Sequence, residues 1–408
     1  MRGEVGVTVR RRVFYIPGYD PFPPRRYREL YRSEAAAQAE ISGYRIAVTA
    51  RPGGDGFGWR AEGVMEGARA AAEIEVLLWS DIVQRSMRQG IFDTYRQLAR
   101  TAWHYVGSGA IFRLVRLRKG PAIAALYPIA MLLAQLCAAL LAGGAVAVAL
   151  GMLLPSGWAF RGLAIAAGIG VLWAVLWQFR RWDNRLYAYY LMHDYAFSAL
   201  ENGAYPAVLE TRMDDFAARI AGALAEDWDE VLVVGHSSGA HIGVSVLSDL
   251  IRAGQGPRPG GPVLSLLTLG HVVPMVSFLP RAQRLRGDLA YLSARGDLTW
   301  VDVTAPGDGC TYALCDPVKV TGVAPEDQRW PLILSAAFTQ TLSADRWKAL
   351  RWRFFRLHFQ YLCAFDRPGD YDYFRITAGP MTLPRRFAGR QPSRAIITRA
   401  LNAYRDVA

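Results

Sequence analysis

The chain has 408 residues, 52% hydrophobic and only 20% charged, which excludes a disordered protein; its 39 Gly and 22 Pro follow no collagen-like period, which excludes a fibrous one. Four cysteines (Cys137, Cys310, Cys315, Cys363) are too few for a disulfide scaffold and lack metal-ligand spacing, so reduced thiols in a cytoplasmic compartment and no metal centre are expected. A net charge of +12 implies an anionic partner, either nucleic acid or lipid headgroups.

The opening residues, Met1-Arg2-Gly3-Glu4-Val5, hold no apolar run of signal-peptide length, so no export from the N-terminus is expected. Arg11–Ile16 reads as a short strand stopped by Pro17-Gly18, and Arg26–Glu40 as a helix. Tyr44–Thr49 and Phe57–Val64 alternate with a period near two around the turn-forming Pro52–Gly56, and Glu73–Trp79 predicts a further strand. From about Ile82 to Leu117 the pattern is helical.

Gly120–Pro155 and Gly162–Phe179 contain no charged side chain, and each is near or above the ~20 residues that cross a bilayer. These runs predict a transmembrane helical hairpin, with Trp173 and Trp177 at an aromatic belt and Pro155–Arg161 as the turn. The first run is too long for one straight span. Pro128 is therefore expected to break it, leaving Ala122–Tyr127 along the interface while Met131–Leu154 crosses. Arg113, Arg116, Arg118 and Lys119 precede the hairpin and Arg180, Arg181 and Arg185 follow it, so both flanking portions are predicted to be cytoplasmic. Cations clustered there account for the positive charge without nucleic acid, for which no binding motif exists.

Beyond the hairpin, Asp183–Leu200 and Leu209–Ala225 read as helices and Val231–Val234 as a strand buried on both faces. A helix is expected from Ala240 to Ala253, a strand at Val263–Leu269, a helix at Arg281–Leu292 and a strand at Leu298–Thr304. Strands alternating with helices predict an α/β protein with a mostly parallel sheet covered on both faces.

Gly235-His236-Ser237-Ser238-Gly239 lies directly between a buried strand and a helix. In such an elbow the small flanking residues let strand and helix approach, and the Ser237 hydroxyl is presented above the sheet edge. A serine attacks only when a base takes its proton. Of six histidines, His104 and His193 lie on earlier helices, His236 is a supporting residue inside the elbow and His241 packs on the next helix. His271 is placed to line the site; His358 sits where a base is expected in the order serine, acid, histidine, and is the chosen base. For the acid, Asp302 lies within a strand, Asp308 in the loop just beyond it, and Asp316 further on; Asp308 is the first choice and Asp316 the second.

Gly235–Gly239, Thr268-Leu269-Gly270, Trp300 through Asp308, and His358 with Tyr361 together resemble the α/β-hydrolase superfamily, especially its lipase-like and esterase-like members. The resemblance implies that Ile16-Pro17-Gly18-Tyr19-Asp20 supplies an oxyanion-hole amide, with proline where a histidine is usual, so that the N–H groups of Tyr19 and Ser238 bind the oxyanion. It also implies a hydrolase domain in two parts, 1–119 and 180–408, interrupted by the hairpin at 120–179. The expected protein is then a membrane-anchored serine ester hydrolase without cofactor. Its partners would be the bilayer and lipid or acyl esters, in the inner membrane if bacterial, with the catalytic portion facing the cytoplasm. A thioesterase or peptidase using the same triad, and a catalytically silent scaffold, are the rival readings.

Overall fold

The computed structural model describes residues 8–51 and 56–408. The expectations about the first five residues and about Pro52–Asp55 of the predicted turn fall outside them. Eight strands, β1 (Val9–Ile16), β2 (Arg45–Ala50), β3 (Gly58–Met65), β4 (Ala68–Val76), β5 (Glu230–His236), β6 (Val263–Leu269), β7 (Leu298–Thr304) and β8 (Leu332–Ser335), form one sheet. Their order is β2-β3-β4-β1-β5-β6-β7-β8. β4, β1, β5, β6, β7 and β8 run parallel, while β3 pairs antiparallel with β2 and β4.

The apolar runs of the central strands follow from helices covering both faces. All seven residues of β5 and all seven of β7 are buried. Successive side chains alternate sides: Val13, Tyr15, Leu232 and Val234 enter one core, and Phe14, Ile16, Val231 and Val233 the other. From β1 the chain moves to β2–β4 on one side, and from β5 to β6–β8 on the other. The crevice between the carboxyl ends of β1 and β5 is thus a topological switch point, where open α/β sheets place their ligands.

Several boundaries differ from the sequence reading. β4 starts at Ala68 and ends at Val76, and Ser80 already opens a helix. The single helical stretch to Leu117 is three helices, Ser80–Met87, Ile91–Gly107 and Ala110–Leu117, because Gly90 is extended and Gly109 is left-handed at φ 69°. Asp183–Leu200 is likewise divided at Tyr187, also left-handed.

The hairpin carries the largest correction. Pro128 does not break the first helix, which runs unbroken from Lys119 to Leu153; the second spans Trp158–Arg181, so the turn is shorter than Pro155–Arg161. One proline removes a single N–H, and here it is buried in the packed overhang of the helix. At 1.5 Å per residue the helix is about 50 Å long, well beyond the ~30 Å of a hydrocarbon core. Towards its start, Leu132 is buried in one cluster with Leu98 and Met192 and Tyr127 Oη donates to Leu186 O at 2.7 Å, while Ile123, Leu126 and Tyr127 stay exposed.

Both helices are long and apolar enough to cross a membrane, and only 11% and 17% of their most apolar stretches are buried. They meet at two glycines: a Cβ on Gly143 would lie 2.5 Å from Gly168 O, and one on Gly168 2.6 Å from Gly143 O. Gly168→Val is therefore expected to force the helices apart at a cost of about 1–3 kcal/mol. Thermal unfolding in detergent checks this, with Gly170→Val, which meets open space, as the control.

Candidate functional site

β5 delivers Ser237 with φ 56° and ψ −119°, a conformation that a non-glycine residue keeps only when its surroundings enforce it. The enforcement is visible on both sides. Ser237 N donates to Leu269 O at 2.9 Å, tying the turn to the end of β6. At Gly239 any Cβ would collide with the carbonyl of Ile16 at the end of β1, so only glycine lets the helix Ser238–Arg252 start this close to the strand. Ser237 remains partly exposed while its neighbours are buried.

Its surroundings form a cleft of about 730 Å³, partly open to solvent, at the β1–β5 switch point. Gly18 and Tyr19 from the loop after β1, Ser237 and Ser238 from the elbow, and His358 and Phe359 from the late helical segment all line it. The cleft thus brings together Ser237, His358, Tyr19 and Ser238. No hydrogen bond joins Ser237 Oγ to the His358 ring among the described residues. The ring nevertheless sits over the end of β6: a Cβ on Gly270 would lie 3.1 Å from His358 Cε1. Apo sites often close such bonds only around substrate. The N–H of Tyr19 finds no acceptor among the described residues, and that of Ser238 opens a helix, where none is available.

His358 is held by two hydrogen bonds. Nδ1 donates to Asp308 Oδ2 at 2.7 Å, which leaves Nε2 as the lone-pair nitrogen of the neutral ring. Asp308, 1% exposed, also accepts from Tyr361 Oη at 3.1 Å and from Cys310 N at 2.9 Å, and Tyr361 Oη in turn accepts from Ala305 N at 3.0 Å. His236 Nε2 donates to the main-chain O of His358 at 3.0 Å. Burial pushes the His236 imidazole down to about 3, with the neighbouring His358 adding to the shift, so it supports as a neutral donor.

Asp316, the second choice of acid, makes no hydrogen bond to His358 among the described residues. It caps the helix Pro317–Thr321 by accepting from Val318 N at 2.9 Å and Lys319 N at 3.0 Å, and binds Gln328 Nε2 at 3.0 Å. Asp302 accepts from Thr268 Oγ1 at 2.6 Å inside the sheet, and burial pushes its carboxyl up to about 8. His271 does not line the cleft; its Nε2 donates to Cys315 O at 3.2 Å. His241 stacks on Tyr205, as packing requires.

Sequence reasoning passed over Asp194. The helix Ala188–Ala199 lies over the cleft, with Tyr190 Oη donating to Tyr19 O at 2.5 Å, and it directs Asp194 into the space beside Ser237. The carboxyl has no hydrogen-bond partner among the described residues, and burial pushes it up to about 7 despite the opposing pull of His358. A folded-state value above the unfolded one means that stability falls as pH rises from about 4 to about 7. Asp194→Asn is therefore expected to raise Tm in detergent at about pH 8 and leave it unchanged at about pH 4. Equal shifts at both would show that the charge is not the cause.

No group of three or more metal-ligating side chains occurs among the described residues. No family model matches the chain, and neither a curated protein nor a solved structure matches it.

Proposed function

We propose that the chain is a membrane-anchored serine hydrolase of the α/β-hydrolase type that cleaves carboxylic esters, foremost lipid or acyl esters. The observation that carries the reading is the strained Ser237 at the switch point, opening on the same cleft as a histidine whose Nδ1 is held by a buried carboxylate. A plain strand-to-helix loop has no need of either the strain or the dyad.

In the proposed reaction His358 Nε2 takes the Ser237 proton as Oγ bonds to the ester carbonyl carbon. The carbonyl oxygen becomes an oxyanion facing the N–H groups of Tyr19 and Ser238. Collapse breaks the C–O bond to the alcohol, which leaves with the proton from His358. Water, deprotonated by the same imidazole, then cleaves the acyl-enzyme to a carboxylic acid and free Ser237. Asp308 fixes the tautomer and stabilises the imidazolium through both steps.

Lipid substrates are favoured by the two exposed apolar helices, whose surface needs hydrocarbon around it. In this reading the hairpin spans the bilayer, the inner membrane if the source is bacterial, and the arginine-rich flanks keep the catalytic portion cytoplasmic. A fluorophosphonate probe tests the proposal: the wild type is expected to be labelled and Ser237→Ala not. Absence of any Ser237-dependent adduct would leave a silent scaffold.

A further inference from the structure

Beside the catalytic cleft lies a second cavity, of about 570 Å³, that this mechanism does not use. Its walls come from the helices Ile91–Gly107 and Ala110–Leu117, from the first turns of the long hairpin helix at Ala122, Leu126 and Ile129, and from Met192. Apart from Thr101 the lining is aliphatic or aromatic, and the Tyr105 hydroxyl is already engaged, donating to Met275 O at 3.0 Å.

Two features say what occupies it. Tyr195 and Met275 line this cavity and the catalytic cleft alike, so the two spaces share a wall. Val106 and Leu126, which also line it, are 54% and 46% exposed, and Trp103, Phe112 and Val115 are exposed on the same two neighbouring helices. Apolar surface is thus uncovered where the long helix would leave the bilayer.

We infer that this cavity holds the acyl chain of the substrate, receiving it sideways from the bilayer along the hairpin, with Tyr195 and Met275 forming the passage to Ser237. The inference rests on the reading of Ser237 as the nucleophile of a lipid-ester hydrolase. A chain that slips from the membrane into this space exchanges one hydrocarbon environment for another and never crosses water. The hairpin then delivers substrate as well as anchoring the enzyme.

The test fills the cavity from two sides in the full-length protein, with Ala125→Phe on the hairpin and Ala102→Phe opposite. The expected result is a fall of at least about tenfold in the ratio of palmitoyl-ester to butyryl-ester kcat/KM. An unchanged ratio in both variants overturns the inference. A second measurement needs no turnover: a diazirine-bearing palmitate is photolysed with the wild type, and adducts are mapped by peptide. Adducts within 101–129 or 192–195 support the inference, and adducts confined elsewhere overturn it. Failure of the hydrolase reading looks different, because then neither wild type nor variant forms a fluorophosphonate adduct at Ser237, whatever the photoprobe marks.

Discussion

Ser237→Ala is expected to lower kcat for ester hydrolysis by roughly 10⁶-fold, since nucleophile and base act as a unit and the loss of either removes covalent catalysis altogether. The substitution takes away only Oγ. The backbone at φ 56° is enforced by the Leu269 carbonyl and by the close approach at Gly239, and alanine meets the same constraints, so Tm is expected to stay within a few degrees of the wild type. Some hydrolysis above the water rate, of order 10³-fold, should remain from the amides at Tyr19 and Ser238. Adding His358→Ala to Ser237→Ala is expected to cost almost nothing further, because the two losses are not additive. Steady-state kinetics on a water-soluble ester decide the matter. Activity within tenfold of the wild type would mean that another group attacks the carbonyl.

Between β4 and β5 the chain makes one excursion, and both helices long and apolar enough to cross a membrane belong to it. Trp79 Nε1 donates to Pro17 O at 2.9 Å as the excursion leaves, and Tyr190 Oη binds Tyr19 O as it returns. Both bonds hold the loop that carries the Tyr19 amide. The hairpin and the helix covering the cleft therefore belong to one connection, the one that crosses the switch point.

What the sequence discloses follows from how local each feature is. β5 is readable because Val231–Val234 is apolar throughout and Gly-x-Ser-x-Gly directly follows, and close strand–helix contact at Gly239 needs only neighbours in sequence. β8 is not, because four residues at the sheet edge are too few to show a period. The continuity of the long hairpin helix was hidden for a different reason: proline predicts a break from its own geometry, whereas burial of Pro128 against neighbouring helices overrides it. Asp194 was unreadable in a third way. Its direction depends on the rotation of the covering helix, set by packing against Tyr19 and Trp79 rather than by any residue beside it.

Asp308→Asn is expected to lower kcat by about 10⁴-fold with little change in KM, while Asp316→Ala keeps kcat within about threefold and instead costs ~1 kcal/mol of stability. The two aspartates are eight positions apart and both follow β7, so their chain positions do not separate them; their partners do. Asparagine at 308 can still accept from Cys310 N, which holds the loop, but an amide nitrogen turned towards the imidazole donates where the carboxylate accepted. His358 would then carry its proton on Nε2, and the nitrogen needed as base would already be protonated. Alanine at 316 frees the amides of Val318 and Lys319 at the start of a five-residue helix without removing any bond to the imidazole, which is a loss of folding energy and not of chemistry. Kinetics and thermal unfolding on the same two variants separate these effects, and a dead Asp316→Ala beside an active Asp308→Asn would move the acid of the triad to the other loop.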